Sequence, residues 1–409
     1  MTPIHLLHFA DIHIGIENYG HIDPETGVNR RVLDFLRRFT EVVDYAIEHE
    51  ADLVLFAGDA FKTRDPNPTL QREFARRIRR LSEAGIPTLL LVGNHDLPAM
   101  EKRASTVDIF HTLAVPHIIV AREETVYTIK TRHGPVQVAT VPYPMRQRLL
   151  AREEFQGMTI EQLDRILSEL VTENIEALAR QIDPDIPAVL AGHFSVAGAA
   201  WGSERQVMLG NDVTVLKSAL TGGPFDYCAL GHIHKHQDVN AGGYPPVVYA
   251  GSLERIDFGE EHEPKGFCWV QLVKGATTYE FIPVKARPMR TIRVNVTYEP
   301  DPTGAAIAAI READLTDAIV RIAIGITPEQ ESALNSREIE DEAKKQGADF
   351  VRLTKEMSRQ VPIRLGTESL EGLTPPQLLE RYLQAKGTDP ERIALLLDYA
   401  RPIFEGEQV

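Results

Sequence analysis

The chain has 409 residues, 43% of them hydrophobic and 25% charged, a composition that excludes extensive disorder and allows one large domain of about 250 residues plus smaller ones. Lysine and arginine number 44 against 59 aspartate and glutamate, and the net charge of −15 argues against a protein that coats nucleic acid by charge neutralisation. It leaves open an enzyme that meets phosphate through bound cations. No apolar run reaches the roughly 18 residues of a membrane span, and "MTPIHLLHFADIH" lacks the basic start and long apolar core of a signal peptide. Cys228 and Cys268 lie in separate apolar runs, which predicts buried free thiols in a reducing compartment. The expected location is the cytoplasm, with no membrane partner.

Through the first two-thirds, β-rich runs alternate with amphipathic helices. "PIHLLHFADIH", "ADLVLFAGD", "IPTLLLVGN", "IPAVLAGH" and "FDYCALGHIH" are runs of Val, Leu, Ile and Phe that stop at a small residue just before a polar one. Near-continuous apolar strands predict sheets covered on both faces. In "NPTLQREFARRIRRLSEAG", Leu70, Phe74, Ile78 and Leu81 form one stripe with arginines opposite. In "MTIEQLDRILSELVTENIEALARQID", Thr159 caps a helix that turns Leu163, Ile166, Leu167, Leu170 and Ile175 inward. After about residue 285, β-runs such as "RTIRVNVTYEP" and "DAIVRIAIGIT" alternate with helix-like stretches, as in a small α+β module over residues 286–357. Residues 358–409 read as a linker and a C-terminal helix pair, with Leu378, Leu379, Tyr382 and Leu383 on one apolar face and Ile393, Leu396, Leu397 and Tyr399 on the other. Such a pair has little core of its own and must dock on something, this chain or a partner, and the sequence favours neither.

The ends of the β-runs carry the chemistry. The first ends in Asp11-Ile12-His13, the second in Gly58-Asp59, the third in Gly93-Asn94-His95-Asp96, a later one in Gly192-His193, and "CALGHIHKHQ" supplies His232, His234 and His236. Each motif alone occurs by chance, and a capping Asp or a solvated strand end explains it as well. Five runs that each deliver Asp, Asn or His at the carboxyl edge, where open α/β sheets place their sites, point to one centre. Glycine ahead of the polar residue permits a sharp turn and close approach. Two carboxylates, one amide and four imidazoles give four protein ligands to each of two ions if Asp59 bridges, which fits divalent ions about 3.5–4 Å apart. Asp11, His13, Asp59 and His234 are assigned to one ion, and Asp59, Asn94, His193 and His232 to the other. The mixed oxygen and nitrogen set suits Mn, Fe or Zn.

These motifs, in this order, resemble those of the calcineurin-type metallophosphoesterase superfamily. The resemblance implies an α/β fold, a two-sheet β-sandwich flanked by helices, and attack on phosphorus by a hydroxide that two metals activate. It also implies a catalytic role for His95, protonating the leaving oxygen or steadying the phosphoryl charge, with Asp96 orienting its ring. "GSLERIDFGEEHEPKGF", residues 251–267, together with "DIHIG", the length and the domain order, is similar to the SbcD family of DNA repair nucleases, bacterial relatives of the meiotic-recombination-eleven nuclease. Specific motifs carry the likeness over residues 4–285, and layout alone carries it beyond.

That family likeness implies residues 1–285 as the nuclease domain, 286–357 as a DNA-capping domain and 358–409 as the part that binds the coiled coil of an SbcC-like ATPase. It further implies DNA as substrate, two ions of Mn2+, double-strand exonuclease and single-strand endonuclease activity, and a homodimer within a two-plus-two complex. The dimer would form through helices of "LQREFARRIRRL" and "MEKRASTVDIFHTL". Lys62 departs from the pattern, standing where relatives often carry His or Asp. His236 falls outside it and is expected to face solvent or DNA. His5 and His8 read as core or edge histidines, most of the clustered arginines as solvated helix faces, and Tyr143 and Trp201 as packing rather than base-stacking residues. Two other readings keep part of this: a phosphoesterase for a small nucleotide or other phosphoester, and a non-catalytic scaffold gripping DNA and the ATPase.

Overall fold

A computed structural model describes residues 2–97, 104–145, 149, 155, 157–202, 212–357, 374–385 and 388–405. The apolar runs become the centres of two six-stranded sheets. The first has the spatial order β14 (Thr278–Pro283), β13 (Gly266–Leu272), β1 (Ile4–Phe9), β2 (Leu53–Phe56), β3 (Thr88–Leu91) and β4 (Ile118–Ala121). The second has the order β11 (Gln237–Asp238), β12 (Val247–Tyr249), β10 (Tyr227–Gly231), β7 (Ala188–His193), β6 (Gly134–Val141) and β5 (Thr125–Thr131). β1 to β4 run parallel, as do β6, β7, β10 and β12. The antiparallel additions β13 with β14, β5 and β11 lie at the sheet edges.

Both faces of the central strands are buried, which is why their sequences are continuous apolar runs rather than alternating ones. Along β1 and β2, Leu6, Leu53 and Leu55 point between the sheets, where they meet Val138, Val189, Ala229 and Val270. Leu7, Phe9, Val54 and Phe56 point the other way, against helices α1 (Arg30–Glu48) and α2 (Pro68–Glu83). There Phe9 meets Phe39 at 5.7 Å and Phe39 meets Phe74 at 5.4 Å between ring centroids. Each such fully buried side chain is worth about 1.5–3 kcal/mol over exposure. The outer face of the second sheet packs on the helix Ile160–Ala179 through Leu163, Leu167, Val171 and Ile175. Thr159 caps that helix, in a reciprocal box with Gln162.

Two polar details belong to this frame. His8 points between the sheets and its Nδ1 lies 3.1 Å from the Tyr227 hydroxyl, joining β1 of one sheet to β10 of the other. Burial lowers its pKa to about 3, so the ring is neutral. Cys228 and Cys268 are free and buried, as expected.

Later in the chain β15 (Met289–Asn295), β16 (Ile319–Ile326) and β17 (Phe350–Met357) form a three-stranded sheet in that order. The last two described helices, Pro375–Ala385 and Pro390–Glu405, pack on each other. Ile393 is buried there, while Leu395 and Tyr399 are 57% and 75% exposed. The chain divides into two compact units, Met1–Ile292 with Ile310–Ile322 and Glu340–Arg352, and Arg293–Ala309 with Ala323–Ile339 and Leu353–Val409. Among the described residues no helix is long and apolar enough to cross a membrane. The architecture is mixed α/β, two sheets flanked by helices, as the resemblance implies.

Candidate metal centre

The carboxyl ends of β1, β2, β3, β7 and β10 bring Asp11, His13, Asp59, Asn94, His193, His232 and His234 into one cluster. Four of these residues hold a left-handed backbone, with φ of 51° at Asp11, 50° at His13, 66° at Asp59 and 93° at His232. Non-glycine residues resist that region, and structure persists there only when its surroundings over-determine it. Backbone bonds from Asp11 to the Gly58 carbonyl (2.9 Å) and from Ile12 and His13 to the Asp59 carbonyl (3.0 and 3.1 Å) supply that constraint. The glycines ahead of the motifs have a steric reason as well. A Cβ at Gly58 would strike the His193 ring, one at Gly93 the Asp59 carboxylate, and one at Gly231 the Ala57 carbonyl.

Ring nitrogens and carboxylate oxygens face one another across the cluster. His13 Nε2 and His234 Nε2 are 3.0 Å apart. Asp59 Oδ2 lies 3.8 Å from His13 Nε2 and 3.4 Å from His193 Nε2. Asn94 Oδ1 lies 2.9 Å from His193 Nε2 and 3.1 Å from His232 Nδ1. Asp11 with His13 and His234, and Asp11 with Asp59 and His193, each place three ligand atoms within 4.8 Å of one another. Asp11 and Asp59 are 0% and 2% exposed, and among the described residues neither forms an ion pair with lysine or arginine. Two buried carboxylates ringed by imidazole nitrogens are short of positive charge, and divalent ions fit that deficit. Without ions the charge is shared with protons. Burial opposes ionisation of Asp59, but His193 and its neighbours outweigh it and hold the carboxyl far below the usual range. Burial likewise opposes charge on His193, and Asp59 reverses this, raising the ring to about 9. Asp11 goes the other way, raised by burial.

His95 sits half-buried beside the cluster, its ring 5.0 Å from that of His13 and within ligand range of His13 and Asp59. Its orientation differs from expectation. Asp96 does not hold the ring; its carboxylate accepts from the backbone N–H groups of Asp59 (2.8 Å), Ala60 (2.9 Å) and Gly93 (3.1 Å). The two strand ends are thereby tied together, since a short carboxylate next to its own turn reaches backbone more readily than a neighbouring ring. His95 Nδ1 instead lies 2.7 Å from the carbonyl of Lys62. The backbone of Lys62 thus takes the orienting part.

His236 stands apart from the ligand cluster, but it is packed rather than solvent-facing: its ring stacks on Phe281 at 4.1 Å and Nδ1 bonds the Tyr249 carbonyl at 2.9 Å. His5 stacks on Trp269. Most of the clustered arginines pair with acids on or near their own helices, among them Arg38, Arg76 and Arg79. Arg31 also pairs with Asp34 of its own helix, but it is buried, 1% exposed, and bonds the Arg255 carbonyl as well. Tyr143 and Trp201 pack beside His232, with ring centroids 5.5 and 6.0 Å away. Three site neighbours escape sequence reasoning. Asp212 Oδ2 lies 2.7 Å from His232 Nε2, Glu260 Oε1 lies 3.1 Å from His234 Nδ1, and Lys265, fully buried, pairs with Glu260 at 2.9 Å. The segment 251–267 is thus a support for His234: Ser252 N–H and Lys265 Nζ also donate to its backbone carbonyl, at 3.0 and 3.1 Å.

Comparison with known proteins bears on this geometry. The family model described as calcineurin-like phosphoesterase matches residues 4–236, more than half of the chain. The chain belongs to the calcineurin-like phosphoesterase family. Among solved structures, TT1561 of Thermus thermophilus is similar at 15% identity over 68% of this chain and 99% of that one, with a TM-score of 0.38. A dimetal phosphatase from Danio rerio is similar at 10% identity over 69% of this chain and 96% of that one, also with a TM-score of 0.38. As a calcineurin-like phosphoesterase the protein is a metal-dependent hydrolase of phosphoesters, and its strand-end cluster supplies the candidate metal ligands.

Proposed function

We propose that the protein is the nuclease subunit of an SbcCD-type complex, a manganese-dependent deoxyribonuclease that cuts duplex DNA from its ends and single strands internally during double-strand break repair. The observation that carries this reading is the segment Gly251–Phe267, whose sequence is similar to the SbcD family and whose Glu260 and Lys265 brace His234. Residues 286–357 serve as a DNA-capping domain, and the terminal helix pair, with Leu395 and Tyr399 exposed, receives the coiled coil of an SbcC-like ATPase. The complex is cytoplasmic and built on a homodimer of this chain.

Asp11, His13, Asp59 and His234 would hold one divalent ion, and Asp59, Asn94, His193 and His232 the other. Such ions, when bound, polarise the phosphoryl oxygens and make water a nucleophile at neutral pH. The chain's own part is orientation and proton delivery. The Lys62 carbonyl holds His95 Nδ1, so Nε2 is the atom left to meet the leaving oxygen. An acidic chain binds the polyanion weakly by itself and relies on the centre and the partner for positive charge.

The test is cleavage of linear duplex and circular single-stranded DNA by the purified chain with Mn2+, alone and with its ATPase. His232→Asn and His234→Asn are expected to lower cutting by at least about a hundredfold with the fold retained. Full activity in either variant contradicts the centre. Hydrolysis of small phosphodiesters with no cutting of DNA, even with the ATPase, would favour a small phosphoester as substrate.

A further inference from the structure

His232 and His234 are two residues apart on the loop that leaves β10, yet they present different ring nitrogens to the cluster. His232 turns Nδ1 toward Asn94 Oδ1 at 3.1 Å, and its Nε2 rests on Asp212 Oδ2 at 2.7 Å. His234 turns Nε2 toward His13 Nε2 at 3.0 Å, and its Nδ1 rests on Glu260 Oε1 at 3.1 Å. Each ring therefore has one nitrogen inside the cluster and one on a carboxylate behind it.

A neutral imidazole carries a single N–H, and the nitrogen without it is the one that binds a cation. A carboxylate accepts that proton's hydrogen bond and so selects the tautomer. Both carboxylates are themselves anchored. Asp212 takes the Ser195 hydroxyl on Oδ2 and the Tyr143 hydroxyl on Oδ1 at 3.2 Å. Pairing of β8 (Ser195–Val196) with β9 (Thr214–Val215) brings Asp212 alongside the chain that leaves His193. Glu260 takes the Ile256 N–H at 2.9 Å and the buried Lys265 ammonium at 2.9 Å.

We propose that Asp212 and Glu260 are positioning residues that fix opposite tautomers of His232 and His234, Nδ1 inward in the first and Nε2 inward in the second, so that one carboxylate serves each ion of the pair. The inference rests on the family's metal centre and not on the identity of the substrate.

Titration of the full chain with Mn2+ by calorimetry tests it. The wild type is expected to bind two ions. Asp212→Ala is expected to weaken one of them about 10- to 100-fold and leave the other unchanged, with Glu260→Ala weakening the other. Asp212→Asn keeps an acceptor for the Nε2 proton and is expected to lose less than Asp212→Ala, a graded rescue that a purely structural role does not give. Histidine-selective 15N NMR of the ion-free wild type is expected to show His232 protonated on Nε2 and His234 on Nδ1. Unaltered binding of both ions in Asp212→Ala, equal losses at both ions that follow a drop in melting temperature in EDTA, or the reverse tautomers would overturn the proposal. If Asp212→Ala does not fold, the NMR result on the wild type decides. A chain that binds two ions yet leaves DNA intact would refute the nuclease reading and leave this one standing; a wild type that binds fewer than two would refute this one.

Discussion

Asp59 and His193 show why this cluster asks for cations. Asp59 raises His193 to about 9 against the opposing effect of burial, so an ion-free protein at neutral pH carries a second proton on that ring, at Nε2. A cation that takes His193 Nε2 must expel it. Loading with Mn2+ near pH 7 is therefore expected to release a proton, making the calorimetric heat vary with the ionisation enthalpy of the buffer, and affinity is expected to rise as pH increases toward 9. A heat independent of buffer would contradict the assignment of His193. The seven side chains of the cluster are legible in the sequence because each follows an apolar run at one strand end, and several follow a glycine. Asp212 belongs to no motif, and Glu260, although it lies within Gly251–Phe267, carries no sign in the sequence that it faces His234; both reach the histidines only through tertiary folding. The role expected of Asp96 illustrates a second limit, because adjacency to His95 in sequence says nothing about whether a short carboxylate turns to the ring or to backbone.

At the scale of elements, β1, β2, β3, β7 and β10 can be read directly, being buried on both faces. The hairpin β5–β6 and the pair β13–β14 are harder to read, because edge strands such as Thr125–Thr131 mix Tyr127 and Lys130 with exposed positions. The contact between sheets has a polar element, His8, that sequence alone shows only as a core or edge histidine. His8 has a pKa of about 3 in the fold and about 6.5 when unfolded, because burial disfavours its charged form. Below pH 6.5 the unfolded chain gains a proton that the folded chain refuses, so this ring lowers stability as pH falls from about 6.5 toward 3 and has no effect above. His8→Gln retains a hydrogen-bonding partner for the Tyr227 hydroxyl and removes the titration. In EDTA, urea unfolding of this variant is expected to depend less on pH between 6.5 and 4.5 than that of the wild type, by about one to a few kcal/mol at the lower end. Parallel curves for the two proteins would show that His8 is not the group responsible.

For the molecule as a whole, the family match covers residues 4–236, and the partner proposed above rests on the chain beyond it. The apolar stripes of the last two helices are visible in sequence, and half of one stripe, Leu396 and Tyr399, stays exposed. Deleting residues 370–409 is expected to abolish co-purification with an SbcC-like ATPase and to leave Mn2+ binding intact; recovery of the pair after deletion would reject that use of the helices. The central claim is narrower, that side chains from Asp11 to His234 converge on two cations at one edge of two sheets. Anomalous diffraction from crystals grown with Mn2+ tests it most directly. The account predicts two peaks about 3.5–4 Å apart with the Asp59 carboxylate between them. A single peak, or peaks away from His193, His232 and His234, would contradict it.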